Sequence, residues 1–175
     1  MSNEMTNYTE GNVEQSILRS VFSFPNPVNE IAARMVAGMV ASLTLVTIFT
    51  GQVWLLGLLV YGFLARVATG PTLSPMGLVA TRVLVPMFGK PQRPVPGPPK
   101  RFAQMVGLVF SITALALYFA LDFTMVTKSV LVILAVFATL EASVGFCAGC
   151  FVFRYLMRWG LIPESVCQEC VVRQE

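Results

Sequence analysis

The stretch Val130-Leu-Val-Ile-Leu-Ala-Val-Phe-Ala-Thr-Leu-Glu141-Ala-Ser-Val-Gly145-Phe-Cys147-Ala-Gly-Cys150-Phe-Val-Phe153 decides the fold class. It is long and apolar enough to cross a bilayer, which takes about 20 residues, and it ends in a pair of cysteines. One carboxylate, Glu141, interrupts it. Lys128 stands ahead of the run, and Arg154 and Arg158 behind it, so charge flanks an apolar core. The first reading is a membrane helix that carries one acid and delivers two thiols to one side of the membrane.

Working outward, the rest of the chain has the same character. Hydrophobic residues make up 55% and charged residues 12% of 175, where soluble domains carry roughly 25% charged. Three further apolar runs cover Val28 to Thr50, Val53 to Val67 and Phe102 to Leu121, and the fourth begins near Lys128. Gly51-Gln52 joins the first two, and Asp122 to Thr127 joins the last two. These short links predict an all-α, integral membrane four-helix bundle built from two helical hairpins. The second run is short, about 15 residues against the roughly 20 a span needs, so it is expected to tilt or to draw on its flanks. Met1 to Asn12 is polar and acidic with no cationic stretch before an apolar core, so no cleaved signal peptide is expected. The expected divisions are a polar N-terminal segment (residues 1–23), the four-helix transmembrane domain (24–160) and a cytoplasmic cysteine-containing tail (161–175).

Orientation follows from Lys and Arg, which favour the cytoplasmic side. The segment between the second and third runs holds Arg66, Arg82, Lys90, Arg93, Lys100 and Arg101; Arg19 and Arg34 lie near the N-terminus, and Arg154, Arg158 and Arg173 near the C-terminus. The two hairpin turns carry only Lys128. A bacterial inner-membrane protein with both termini and both cysteine pairs cytoplasmic is expected. Within the long middle segment, Ser74-Pro75 reads as an N-cap with proline at the first helical position. Met76 to Val85 then reads as a short helix lying in the interface. Pro91 to Pro99 reads as extended, and Asn26-Pro27 reads as the cap that opens the first membrane helix. The basic segment lacks interleaved aromatics, so its expected contact is anionic lipid headgroups rather than nucleic acid.

The chemistry lies in four cysteines, Cys147, Cys150, Cys167 and Cys170, spaced C-x2-C-x16-C-x2-C, and there is no histidine. Imidazole catalysis and Cys/His zinc sites are therefore excluded. On a helix, residues i and i+3 place their Cβ atoms about 5–6 Å apart, near the range a disulfide tolerates. Counted round a straight helix, Arg154 falls within about 40° of both Cys147 and Cys150, where a guanidinium favours thiolate. The alternative role for Arg154 and Arg158 is to anchor the helix at the interface.

A thiol at a helix N-terminus is activated by the dipole, and one near the C-terminus is not. Lys128 to Trp159 as one helix would measure about 48 Å at 1.5 Å per residue, against a hydrocarbon core of about 30 Å. A break at Gly145 with a restart at Phe146 would resolve both difficulties. On that reading Cys147, Cys150 and Arg154 form a reactive group, and Cys167–Cys170 on the tail is the second station of a thiol–disulfide relay. Transfer of a cysteine-bound persulfide is a related possibility. The spacing also fits a four-cysteine zinc site holding Zn through Cys147, Cys150, Cys167 and Cys170. Glu141, costly in an apolar helix, is expected to pair with Arg34 or Arg66. On a straight helix it faces away from the thiols.

Phe24-Pro-Asn-Pro-Val-Asn-Glu30, Leu73-Ser-Pro75, Val95-Pro-Gly-Pro-Pro-Lys-Arg-Phe102, Gly145-Phe-Cys-Ala-Gly-Cys150 and Gly160-Leu-Ile-Pro-Glu164 occur in that order. Together they resemble the bacterial integral-membrane domain-of-unknown-function family 4395, over roughly residues 21–170. The resemblance implies four helices, a cysteine pair at the last one, and association with soluble thioredoxin-like or sulfurtransferase (rhodanese-like) proteins. It implies no activity. A four-helix bundle with a CxxC is also similar to quinone-linked thiol oxidases of the vitamin K epoxide reductase kind. Those work on the extracytoplasmic side, and the expected topology puts these thiols on the opposite side.

Overall fold

The computed structural model describes residues 26–89, 92–122, 124–162 and 167. The N-terminal segment 1–23 lies outside the described residues, as do Cys170, Glu164, Glu169 and Arg173 of the tail. Six helices follow in order: α1 (Glu30–Thr50), α2 (Val53–Thr69), α3 (Pro75–Met87), α4 (Gly97–Leu121), α5 (Met125–Val144) and α6 (Ala148–Arg158). A two-residue antiparallel ladder pairs β1 (Val28–Asn29) with β2 (Pro94–Val95). Three helices, α1, α4 and α5, are long and apolar enough to cross a bilayer. The second run forms α2, whose 17 residues measure about 26 Å at 1.5 Å per residue.

Local chemistry sets the helix ends. Asn29 caps α1, its Oδ1 accepting from Ile31 N at 3.1 Å, and Gly51 closes it in the left-handed region at φ 66°. Ser74 caps α3, its Oγ accepting from Gly77 N at 3.3 Å with Pro75 in the first turn. A π-helical stretch, Ala80–Leu84, lies within α3.

Two expected starts move. Asn26-Pro27 does not open α1; Asn26 Oδ1 instead accepts from Gly97 N at 2.9 Å. Asn29 Oδ1 also accepts from Arg93 N at 3.3 Å, and Glu30 N donates to Arg93 O at 2.9 Å. These bonds and the β1–β2 ladder clamp the entry of α1 onto the entry of α4. The proline-rich stretch is extended only as far as Pro96, because α4 already starts at Gly97. Pro98 and Pro99 occupy its first turn, where a missing N–H breaks no intrahelical bond. Lys100 and Arg101 are thereby helical.

Packing is helix on helix, chiefly α1 against α5 and α2 against α4. Leu56, Leu59, Leu131, Thr44 and Ala114 are almost fully buried at the centre. Gly107 of α4 sits beneath the Phe63 ring of α2, where a Cβ would come within 2.2 Å of Cε1. The outer faces are apolar: Phe49 is 84% and Phe119 75% exposed, as lipid-facing side chains are. The starts of α1 and α4 meet the ends of α2 and α5 at one end of the bundle. There Arg101 Nε donates to Val67 O at 3.1 Å and Arg34 Nε to Ala142 O at 3.3 Å. Among the described residues the buried charged groups, Arg66 and Lys100, lie at this end.

Candidate functional site

The fourth apolar run breaks at Gly145. This residue ends α5 in the left-handed region at φ 77°, with its N–H on Glu141 O at 3.1 Å. A Cβ here would lie 3.2 Å from Glu30 Oε1 and 3.5 Å from Arg34 Nη1, so glycine suits both the turn and the space. Arg34 donates from Nε to Ala142 O and from Nη2 to Ser143 O. It therefore serves the last carbonyls of α5, where a cation also meets the negative end of the dipole.

The chain restarts at Ala148, with Cys147 as the N-cap of α6. Cys147 Sγ accepts from Cys150 N at 3.3 Å, and the two sulfurs lie 2.7 Å apart. Both thiols are free. The restart is two residues later than Phe146, and it places Cys147 at the positive end of the α6 dipole, with Cys150 N–H on its sulfur. Gly149, between the cysteines, lets α6 settle on α4: a Cβ there would come within 2.6 Å of Ala103 Cα and Cβ.

The charged neighbours of the dithiol are Lys100 and Glu141, which act on both thiols. Lys100 Nζ donates to Glu141 Oε1 at 2.7 Å, with side chains 9% and 15% exposed. Glu141 thus pairs with Lys100 rather than with Arg34 or Arg66. Arg66 is buried elsewhere: Nε donates to Gln104 Oε1 at 2.8 Å, Nη1 donates to Ser74 Oγ at 3.4 Å, and the guanidinium lies 4.5 Å from the Phe63 ring centre. Arg154 is exposed on α6. Around it an aromatic ladder runs from Phe151 to Tyr155 (4.8 Å) and on to Trp159 (6.1 Å). Cys167 is 4% exposed and packs on Phe153, one turn along α6 from Cys150. It is disulfide-bonded. Among the described residues no three Cys, Asp or Glu side chains form a metal-binding group.

Lys100 and Gln104 are site residues that the sequence reading did not select. The signal was available: Lys100, Gln104 and Gly107 recur at i, i+4 and i+7, one face of a helix. That face becomes visible only when the helix is started at Gly97.

The two thiols differ sharply. Cys147 is pulled below the usual thiol range, first by the hydrogen bond from the Cys150 thiol. The Lys100 ammonium and Cys150 N–H act in the same direction, while burial and Glu141 oppose it. Cys150 is pushed up by donating that bond and by burial. The arrangement favours thiolate on Cys147 and leaves the proton on Cys150. Alkylation follows the thiolate fraction, so Cys147 reacts at a pH below that of a free thiol, about 8.5. Removing the leading cause raises its pKa, so in Cys150→Ala the midpoint moves to higher pH. Iodoacetamide labelling across a pH series, read by peptide mapping, measures this. A midpoint that stays put or falls would contradict the assignment.

An apolar cavity of about 280 Å³ adjoins the dithiol, with Cys147 and Glu141 on its wall. Membrane-length helices ending in a reduced thiol pair at a helix N-terminus define the class: an all-helical membrane protein with a CxxC dithiol. Within that class the chain matches the model of a domain of unknown function (DUF4395) over residues 28–158, and it belongs to that family. No curated protein and no solved structure matches it.

Proposed function

We propose that the chain is a four-pass inner-membrane protein that exchanges disulfides through Cys147 and Cys150 with a soluble thioredoxin-like or rhodanese-like partner on the cytoplasmic side. The observation that carries the reading is Cys147 at the N-cap of α6, its sulfur 2.7 Å from Cys150 Sγ. A reactive cysteine needs a stabilised thiolate and a resolving thiol within reach, and this arrangement supplies both. The orientation rests on the Lys/Arg bias. It makes α2 the short second span and lays α3 and α6 in the interface. Tyr155 and Trp159 with Arg154 and Arg158 on α6 suit that depth.

In the exchange, Cys147 thiolate attacks one sulfur of the partner's disulfide, forms a mixed disulfide and releases one partner thiolate. Cys150 then gives up its proton and attacks Cys147 Sγ. The second partner thiolate leaves, and a Cys147–Cys150 disulfide remains. Two electrons have passed to the partner, and the reverse sequence returns them. Cys167, packed on Phe153 one turn along α6 from Cys150, supports a tail cysteine as the second station.

The test is a graded glutathione series with maleimide alkylation and peptide mapping at Cys147. Wild-type protein is expected to show a reversible two-thiol step without an adduct. Cys150→Ala cannot resolve, so it is expected to accumulate glutathione on Cys147, released by dithiothreitol. Cys147 fully alkylated at every potential in both proteins would sink the proposal.

A further inference from the structure

We propose that the cavity beside Cys147 binds a lipid-soluble quinone, which takes the electron pair of the reduced Cys147–Cys150 dithiol. The inference rests on the disulfide-exchange reading above and names the co-reactant that would reset the pair. At about 280 Å³ the cavity lies near the lower end of small-molecule sites, a size for a substituted ring rather than a peptide. Val36, Val40, Phe63, Phe110 and Phe137 form its apolar wall.

Phe137 and Val152 border the cavity and are also exposed on the outside of the bundle, at 43% and 46%. The cavity therefore opens beside the apolar outer face of the membrane-length helix α5. A ligand entering there comes from lipid, not from water. Inside, the polar side chains are few. Cys147 rather than Cys150 is on the wall, Glu141 is joined to Lys100, and Gln104 is held through its Oε1 by Arg66. That hold leaves the Gln104 NH2 as a donor. An apolar slot with an amide donor and a titratable carboxyl fits a flat ring bearing carbonyl oxygens. An acyl chain would use neither the donor nor the thiol.

The chemistry balances. From the Cys147 thiolate and the Cys150 thiol, one S–H bond breaks and one S–S bond forms, releasing two electrons and one proton; the second proton comes from solvent. The quinone accepts the two electrons and the two protons, and its two carbonyl oxygens become the hydroxyls of a hydroquinone. Glu141, on the wall and hydrogen-bonded to Lys100, is placed to pass a proton. A reduced soluble partner then returns the disulfide to the dithiol state, so electrons flow from cytoplasmic thiols to the membrane.

The experiment uses the full chain in lipid nanodiscs, pre-reduced, desalted and anaerobic, mixed with decylubiquinone. That quinone is fully substituted on the ring and cannot add a thiol at a ring C–H. The expected result is hydroquinone formation with Cys147 and Cys150 oxidised together. Filling the cavity with Val106→Trp should slow this by about tenfold or more, while oxidation by glutathione disulfide keeps its wild-type rate. Ala37→Leu is the smaller filling on another wall, expected to raise the KM for quinone, and it carries the test if Val106→Trp fails to fold. Wild-type protein that cycles with glutathione yet forms no hydroquinone overturns the inference and leaves disulfide exchange standing. Protein that cycles with neither overturns both. Equal rates in wild-type and both filled variants would place the reaction outside the cavity and overturn the assignment.

Discussion

Lys100→Met is expected to destabilise the protein by about 3–5 kcal/mol, because it leaves a buried carboxylate without its counter-charge. The partners are 2.7 Å apart, and their side chains are 9% and 15% exposed. Both are largely shielded from water, so removing one leaves the other poorly compensated. The loss is specific to the unpaired state. An apolar pair of similar volume in place of a buried ion pair is often neutral or better, so Lys100→Met with Glu141→Leu should recover most of the loss. Thermal and denaturant unfolding in detergent, followed by circular dichroism, measures the cycle. Lys100→Met as stable as wild type would mean that the pair holds nothing.

The same substitution should be visible at the thiols. Lys100 holds the Cys147 thiol down, and Glu141 pushes it up. Without Lys100 any charge left on Glu141 acts unopposed, so the alkylation midpoint of Cys147 should rise. Lys100→Met with Glu141→Leu removes both charges, and since Glu141 acts at least as strongly as Lys100, its midpoint should fall back to that of wild type or slightly below it. A purely structural pair would change stability and leave this ordering unmoved.

Much of the fold was legible because membrane-length apolar runs and short links leave few arrangements. The break at Gly145 followed from length alone: about 48 Å of helix at 1.5 Å per residue does not fit a 30 Å core. Its far side was harder to read. Cysteine is not among the preferred N-cap residues, so nothing local marked Cys147 as the start of α6. The angular bookkeeping then failed for a physical reason. Counted round one straight helix, Glu141 lies opposite the thiols and Arg154 beside them. The turn at Gly145 reorients the chain, bringing Glu141 to the dithiol and leaving Arg154 exposed on α6. Lys100 was hidden by its neighbours in sequence: among six cations and a proline cluster it reads as headgroup-binding. Only the helix start at Gly97 turns it inward. Asn26 read as the helix opener because asparagine caps helices, but Asn29 is the residue that caps α1. That both clamp α4 depends on Gly97 and Arg93, some seventy residues away in sequence.

Cys147→Ser is expected to abolish disulfide exchange, by roughly 10³-fold or more as removal of a nucleophile does, while leaving the fold intact. Serine is among the best N-cap residues. Its Oγ can accept from Cys150 N as Cys147 Sγ does at 3.3 Å, so α6 keeps its start and Gly149 its seat on Ala103. What serine cannot supply is a thiolate. Cys150 does not replace it: the hydrogen bond to Cys147 that chiefly pushes its thiol up is gone in the variant, but burial, which also pushes it up, remains. Cys167 does not replace it either, since it is disulfide-bonded and buried on Phe153. Release of the aromatic thiolate from DTNB measures the difference: two equivalents in wild type, with fast attack by Cys147 and displacement by Cys150. In Cys147→Ser the fast phase should vanish, and circular dichroism and melting temperature should stay at wild-type values. In Cys150→Ser the fast phase should survive and stop after one equivalent. The opposite result, with Cys147→Ser fast and Cys150→Ser inert, would transfer the nucleophile to Cys150. The two sulfurs share one short contact, and the contrast between the two serine variants is what separates their roles.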